Sequence, residues 1–541
     1  MTFKERLGLL TYRRQKTILS ASIVLAVTFT LSAILGFLRS RFLYQQFYAC
    51  CAMELDAYNA AFRLPDLIFK LLVTGALSAS FIPVFSSYLH KTPKKAYQIA
   101  STVINLLLIV FLIAAVLVFI FARPFSELIA AGFTPDQLDL MVSLTRVLLL
   151  AQIFFLISNF FTAILQVHQI FIIPALSPIV YNFFIILSIF TLTPTFGIYG
   201  VTYGAVVGAF FHLAIQIPVL AKVGFKYSVF LNTKLAGVRE VIRLMLPRSL
   251  SLGLSEIENT VTLFFASTLA AGSLSLFNLA LQLMYLPSRI FGTTVGQASL
   301  PILSKNVAKN QLQTFRTTVA RTILQSLFIA LPITTLILIQ RVAIVRIAFG
   351  AREFPWAATL LTAKTLAFLT PAIACQAVIQ ILIRSFYALH NTKTPLKISA
   401  VSLVTNLVSA YYFISFTDLG IVGLAISASL GNLVQCFGLL IVFIRTVDGF
   451  HWLDIRRQFF KILAASILMG GFSWLTIKFM DLFVLDTTRT FNVIFLFGAS
   501  SFIGLVSYLL ISWQLEVQQL SEYRFVLTKI RSGLGRFFSR R

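Results

Sequence analysis

Apolar residues along this chain gather into long unbroken runs instead of alternating with polar ones. The runs begin near positions 18, 66, 100, 140, 171, 198, 244, 275, 317, 358, 396, 420, 460 and 491, fourteen in all. Each extends for about 20 residues, the length at which a helix crosses the hydrocarbon of a bilayer. Lipid offers no partner to an exposed backbone group, and the runs are continuous rather than alternating. Helices, not barrel strands, are therefore the expected spanning elements. The pattern predicts an all-α polytopic membrane protein of about fourteen transmembrane helices. The first run, Ile18 to Leu38, is longer than a signal-peptide core and lacks a clear cleavage site, so it is expected to stay as the first span.

Composition agrees with this reading. Of 541 residues, 58% are apolar and 11% charged, where soluble domains average roughly 45–50% and ~25%. A water-facing surface cannot be clothed from that supply, which excludes a cytosolic enzyme, a nucleic-acid binder and a disordered protein. The net charge of +26 comes from short clusters between apolar runs. These are the N-terminus, Lys91/Lys94/Lys95, Lys222 to Arg248, Lys305 to Arg321, Lys393/Lys397, Arg445 to Lys461 and Arg524 to Arg541. The alternate connections hold most of the acids, among them Glu54, Asp56, Glu127, Asp136, Asp418 and Asp481. The positive-inside rule then puts both termini in the cytoplasm, as an even span count requires. The connection with Arg341, Arg346 and Arg352 is the exception.

An internal repeat organises the chain. Leu64-Pro65 recurs 222 positions on as Leu286-Pro287, and His168 recurs at the same offset as His390. Gly197-Ile198-x-Gly200 recurs as Gly420-Ile421-x-Gly423, 223 positions on. Each repeat holds six spans, so the two share one orientation and are expected to be related by an axis along the membrane normal. The expected organisation is an N-lobe over 1–235, a C-lobe over 236–457, and two further helices with a basic cytoplasmic tail over 458–541. Such a duplication points to an alternating-access transporter.

No phosphate-binding loop, H-E-x-x-H or G-x-S-x-G signature occurs, so neither nucleotide nor hydrolase chemistry is expected. Cys50 and Cys51 are adjacent, where an ordinary disulfide is strained, and Cys375 and Cys436 lie apart in apolar runs. Neither disulfide nor metal chemistry is expected of the four. The remaining candidates are ionisable groups in or beside spans, which cost several kcal/mol unless they face water or a partner.

Arg39 and Arg41 lie two apart and project to different sides of a helix, one toward a cavity or both toward outer headgroups. Asp56 and Asp66 flank Arg63, and Lys70 enters the second span four residues after Asp66, on the same face. A basic lining suits phosphate, to which Arg offers a bidentate fork and Lys a mobile charge. Glu256 and Glu258 open the seventh span. They are either one coupling-ion site with Asn259 or Asn406, or a solvated helix end paired with Arg248. Gln282, Arg289 and Gln297 lie on the eighth span, where Arg289 can complete a two-sided anion site; Lys364 and Arg384 are weaker candidates. Gly200, Gly204 and Gly208, like Gly292 and Gly296, form small-residue stripes expected to serve packing.

These residues resemble the MurJ (MviN) lipid II flippases of the multidrug/oligosaccharidyl-lipid/polysaccharide exporter superfamily. The likeness is carried by Leu35-Gly36-Phe37-x-Arg39, by Asp56-Ala57-Tyr58-x-Ala60-Ala61-Phe62-Arg63-Leu64-Pro65-Asp66 and by Gly75 to Pro83. It continues in Ala298-Ser299-Leu300-Pro301 and in Phe386-Tyr387-Ala388-Leu389-x-Asn391-Thr392-Lys393-Thr394-Pro395. It covers nearly the whole chain. The resemblance implies two six-helix lobes around a V-shaped cationic cavity, with helices 13 and 14 forming a groove for the lipid tail. It implies movement of an undecaprenyl-pyrophosphate-linked peptidoglycan precursor from the cytoplasmic to the outer leaflet. The implied drive is a sodium or proton gradient or the membrane potential.

Residue by residue, the family's essential arginine matches Arg39 and its first-loop acid matches Asp56. Its paired arginines of the second helix fall on Phe69 and Lys70, its serine-arginine step on Ser32-Ala33, and its cation of helix eight on Gln282. Arg41, Arg63 or Arg289 can substitute for the missing charges; otherwise the headgroup differs from that of lipid II. The family's sodium-site acid has no clean counterpart, which leaves Glu258, with Asn406. The resemblance thus implies a transporter rather than an enzyme, without a bound cofactor. It would act on a lipid-linked precursor as a multi-pass monomer in a bacterial cytoplasmic (inner) membrane. The competing readings are a flippase for another polyprenyl-linked oligosaccharide and an ion-coupled small-molecule exporter, which needs an acidic lining. A polyprenyl-phosphate glycosyltransferase would need an acidic pair near a large loop.

Overall fold

The computed structural model describes residues 18–521, apart from 75–76, 230, 289–293, 351–353, 448, 450–451 and 484–488. Each of the fourteen apolar runs falls on a helical segment, and no strand occurs among the described residues. The segments are α1 (Ile18–Ala61), α2 (Arg63–Phe69, then Ile82–Lys91), α3 (Pro93–Ile120), α4 (Pro135–Val167), α5 (Ile172–Thr191), α6 (Ile198–Ala214) and α7 (Ala236–Ser267). They continue with α8 (Ser273–Ser288, then Thr294–Ala308), α9 (Leu312–Phe349), α10 (Trp356–Ala388), α11 (Lys393–Phe416), α12 (Ile421–Thr446), α13 (Trp452–Phe483) and α14 (Thr490–Gln514).

Among the described residues ten helices, α3–α6 and α9–α14, are long and apolar enough to cross a membrane. The other four, α1, α2, α7 and α8, hold most of the ionisable candidates. Between its two α-helical parts α2 loosens into π-helical turns at Lys70–Thr74 and Leu77–Phe81. Such turns leave the regular i→i−4 ladder and are frequent at functional sites.

The chain divides by packing into two units, Met1–Ser275 and Leu276–Arg541. In the first, α6 packs on α4 and α5, and α1 on α4 and α5; α7 packs against α3 and the π-helical turns of α2. In the second, α12 packs on α10 and α11 in the same way, while α13 and α14 pair and lean on α9. Helix α7, the first of the second repeat by sequence, thus makes its packing contacts within the first unit.

The duplication is written in the backbone. Gly197 (φ 56°, ψ −137°) precedes α6 and Gly420 (φ 52°, ψ −128°) precedes α12, a conformation open essentially to glycine alone. A Cβ on Gly200, Gly204 or Gly208 would collide with α5 or the turn that follows it, at Leu192, Ser188 and Tyr181. That close approach is what the small-residue stripe provides.

One sequence expectation is corrected. Cys50 and Cys51, for which no disulfide was expected, are joined as a vicinal disulfide. Helix α1 breaks there, with Cys51 at φ −142° and ψ 45°, and this departure from helical geometry accommodates the bridge. Cys375 and Cys436 are free thiols. His168 lies just past α4 with its Nε2 3.5 Å from the Tyr97 hydroxyl, and His390 sits at φ 58° in the turn between α10 and α11.

Candidate functional site

Arg63, Lys70 and Glu256 are gathered where α2 meets α7. Arg63 lies in the first turn of α2, and its Nη2 donates to Glu256 Oε2 at 2.6 Å and to the Glu256 carbonyl oxygen. Its Nε donates to Thr260 Oγ1 at 2.9 Å. The other carboxylate oxygen of Glu256 lies 3.2 Å from Lys70 Nζ. Spacing explains the convergence. Residues 63 and 70 lie seven apart, two turns of one helix face, while Glu256 and Thr260 occupy successive turns of α7.

Glu256 and Arg63 are buried, whereas the Lys70 side chain is 38% exposed. The arginine is a fixed tie between two helices, and the lysine keeps an open side. Asp66 lies between the two cations in sequence, and one of its oxygens accepts from Gln152 Nε2 at 2.7 Å. The π-helical break is also held by α7, since Ser249 Oγ donates to the Leu71 carbonyl at 2.5 Å. The cluster holds two cations and two carboxylates, so its charges are balanced. A third acid brought there would meet repulsion, and an incoming anion must compete with Glu256.

Arg39 stands apart from this cluster on α1, half-buried. Its guanidinium lies 6.0 Å from the centre of the Tyr181 ring of α5, within the range of a cation–π contact. Tyr181 packs edge-on against Phe155 and Phe155 against Phe69, at centroid distances of 5.0 and 6.4 Å. Phe69, where the family resemblance implies an arginine, therefore adds a ring to an aromatic wall. Ser32 and Gly36 of α1 meet Asn182 of α5, whose Nδ2 donates to the Ser32 carbonyl at 3.4 Å. Ala33 is exposed and Arg41 is half-buried.

Asp56 is buried beyond the end of the first apolar run. Its carboxylate accepts from the backbone N–H of Gly272 at 2.6 Å, from the N–H of Ser275 at 2.8 Å and from Ser275 Oγ at 2.5 Å. Asn59 Nδ2 and the Tyr44 hydroxyl also donate to Ser275, at 2.9 and 3.1 Å. Asp56 thus caps the first turn of α8, satisfying amides that have no partner within the helix.

Burial pushes the Asp56 carboxyl up from 3.8 to about 6, against the opposing hydrogen bonds from Ser275 and Gly272. The folded state therefore binds this proton more tightly than the unfolded chain, and stability contributed by the group is lost as pH rises from about 4 to about 6. Thermal denaturation between pH 4 and 7 is expected to show this fall and Asp56→Asn to flatten it. An unchanged slope in the variant assigns the dependence to another group.

Glu258 lies two residues from Glu256 on α7 and is half-buried, and Asn259 is exposed. In the second unit Asn406 is buried on α11, where its Cβ abuts Gly431 of α12. Gln282 is half-buried on α8. Arg289, the basic N-terminus and the basic tail past 521 lie outside the described residues, as does the side chain of Arg248. Glu256 was set beside Glu258 in the sequence, and only the rotation of α7 separates their roles. Tyr181 and Ser275 carry no sequence signal of their own.

With this geometry in place, comparison with known proteins is informative. The family model for lipid II flippase MurJ matches residues 50–492. A probable lipid II flippase MurJ of Bdellovibrio bacteriovorus is 26% identical over 520 residues, covering 94% of this chain and 97% of that one. A lipid II flippase MurJ of Burkholderia cenocepacia is 25% identical, covering 83% of this chain and 88% of that one. Among solved structures, a lipid II flippase MurJ in an inward closed conformation aligns with a TM-score of 0.75 at 24% identity, over 91% of this chain and 98% of that one. An inward-facing multidrug transporter of the MATE family aligns at 0.62 and 17% identity, over 78% of this chain and 98% of that one, a likeness of fold alone.

Proposed function

Because this chain belongs to the lipid II flippase MurJ family, we propose that it carries lipid II across the bacterial inner membrane by alternating access. It is a multi-pass transporter, not an enzyme. Its substrate is the undecaprenyl-pyrophosphate-linked peptidoglycan precursor, moved from the cytoplasmic to the outer leaflet, with both termini cytoplasmic and the chain acting as a monomer.

The observation that carries the proposal is the state of Lys70. It is a cation at the edge of a transmembrane segment, 38% exposed, held by one carboxylate at 3.2 Å. A diphosphate offers a lysine more negative charge than a single carboxylate. Binding then exchanges Glu256 for phosphate at Lys70 while Arg63 stays tied to α7. Arg39 supplies a fork donor on its aromatic wall, and Arg41 and Arg289 are the reserve cations. Asp56 acts through the start of α8, and Gln282 can only donate a neutral hydrogen bond to the headgroup.

When the headgroup leaves, Glu256 recaptures Lys70, so the emptied site does not stay a bare cation. That cluster is then neutral, so the response to the membrane potential, about 2.3 kcal/mol per charge per 100 mV, comes from Arg39 and Arg41 outside it, whose positive charge is drawn toward the cytoplasmic side. Glu258 is the proposed coupling residue for sodium or protons. Glu258→Gln is expected to change the sodium or proton dependence of flipping in proteoliposomes; unchanged dependence on both removes Glu258 from that role.

The test of function is growth. Expression of this chain is expected to sustain a bacterium depleted of its own lipid II flippase. Failure of a well-inserted protein would point instead to another polyprenyl-linked headgroup, the reading that Ala33, Phe69 and Gln282 favour.

A further inference from the structure

The second unit contains a cavity of about 630 Å³ at the start of α9, the start of α13 and the residues just past α14. Its walls include Arg316 and Arg321 from α9, Arg457, Gln458 and Lys461 from α13, and Glu516 after α14. Four basic groups thus face one acid, in a chain otherwise sparing with charge. Arg457 and Lys461 lie four apart, on one face of α13. Its apolar lining is Ala320, Leu324 and Ile455, of which Leu324 and Ile455 belong to the buried core.

Three of the basic groups, Arg316, Arg457 and Lys461, are not consumed by ion pairs within the fold: among the described residues no carboxylate lies within ion-pair distance of them. Arg316 donates through Nη1 to Gln313 Oε1 at 3.2 Å, but its Nε is buried without an acceptor. A buried donor left unpaired is costly, and one edge of the guanidinium fork is unsatisfied. Gly449, at φ 75°, lies so close that a Cβ there would stand 2.9 Å from Arg316 Nη1. Backbone therefore crowds the arginine on one side.

The level of the cavity points to lipid. Trp513, on the last turn of α14, is 60% exposed. An exposed tryptophan at a helix end marks the headgroup layer. Two of the converging segments belong to the basic clusters read as cytoplasmic, Lys305 to Arg321 and Arg445 to Lys461, and the third leads into another, Arg524 to Arg541; on that leaflet face anionic lipids attract such residues. We propose that this cavity binds the phosphate of an anionic phospholipid headgroup, clamping α13 and the end of α14 to α9. The proposal is independent of what the transporter flips.

The test uses the full chain, stripped of lipid in detergent, and native mass spectrometry with added phosphatidylglycerol or phosphatidylethanolamine. The wild type is expected to retain phosphatidylglycerol preferentially. Arg316→Gln with Lys461→Gln is expected to lose at least tenfold of that retention, since a surface charge is worth about fivefold, and Glu516→Gln to increase it. Unchanged retention in the double variant overturns the site. Arg457→Gln, an exposed position, carries the same test if the double variant does not survive purification. Thermal stabilisation separates the two sources of phosphate. An increase given by phosphatidylglycerol and not by millimolar inorganic phosphate supports the lipid, and an equal increase from inorganic phosphate overturns it.

Discussion

Arg39→Ala is expected to abolish rescue of a flippase-depleted bacterium while leaving a folded, inserted protein. The two halves of this expectation rest on different contacts. For folding, Arg39 is half-buried and lies over one face of Tyr181 at 6.0 Å, a contact worth about 0.5–2 kcal/mol. The aromatic wall of Tyr181, Phe155 and Phe69 persists without it. For transport, a charge-assisted hydrogen bond to phosphate contributes roughly 1.5–3 kcal/mol, so losing one slows flipping by about ten- to a hundredfold. Arg39→Lys keeps the charge but not the planar fork or the stacking, and should recover only part of the rate. Flipping assays in proteoliposomes, alongside thermal denaturation, separate the two effects. Full flipping by Arg39→Ala would remove Arg39 from the substrate path, and a collapsed melting temperature would make it a structural residue.

How much of this was legible in the sequence follows from what each feature depends on. Spans are set by local composition, so all fourteen runs fall on helices. The repeat is local too, because a backbone open only to glycine must recur as glycine, and Gly197 and Gly420 share it. The α2–α7 cluster depends on something else. Glu256 and Glu258 are two apart on a helix, so rotation by a fraction of a turn decides which faces α2, and no local signal fixes that phase. Asp56 read as a candidate for substrate because it matches the first-loop acid that the family resemblance implies. Its hydrogen bonds to Gly272 and Ser275 join residues more than two hundred positions apart, beyond any local pattern. Phe69 read only as a missing charge against the family pattern, and its edge-on contact with Phe155 depends on the fold, not on any local signal.

The same cluster supports the prediction with the largest effect on stability. Glu256 is buried and accepts from Arg63, itself only 11% exposed at the side chain. Removing one partner of a buried pair leaves the other charge uncompensated, at a cost of about 3–5 kcal/mol. Glu256→Ala is therefore expected to lower the melting temperature sharply. Lys70→Ala, whose side chain is 38% exposed and contributes one contact at 3.2 Å, should cost no more than about 1 kcal/mol. Replacing both buried partners, Arg63→Met with Glu256→Leu, should regain most of the loss, since the desolvation of two charges disappears together. Glu256→Gln keeps the size and an acceptor oxygen but not the negative charge that competes with diphosphate at Lys70. It is expected to bind lipid II more tightly and to release it more slowly, lowering turnover while raising affinity. If Glu256→Ala destabilises no more than Lys70→Ala, the tie between α2 and α7 is not the support described; if Glu256→Gln leaves affinity unchanged, the carboxylate does not compete with phosphate.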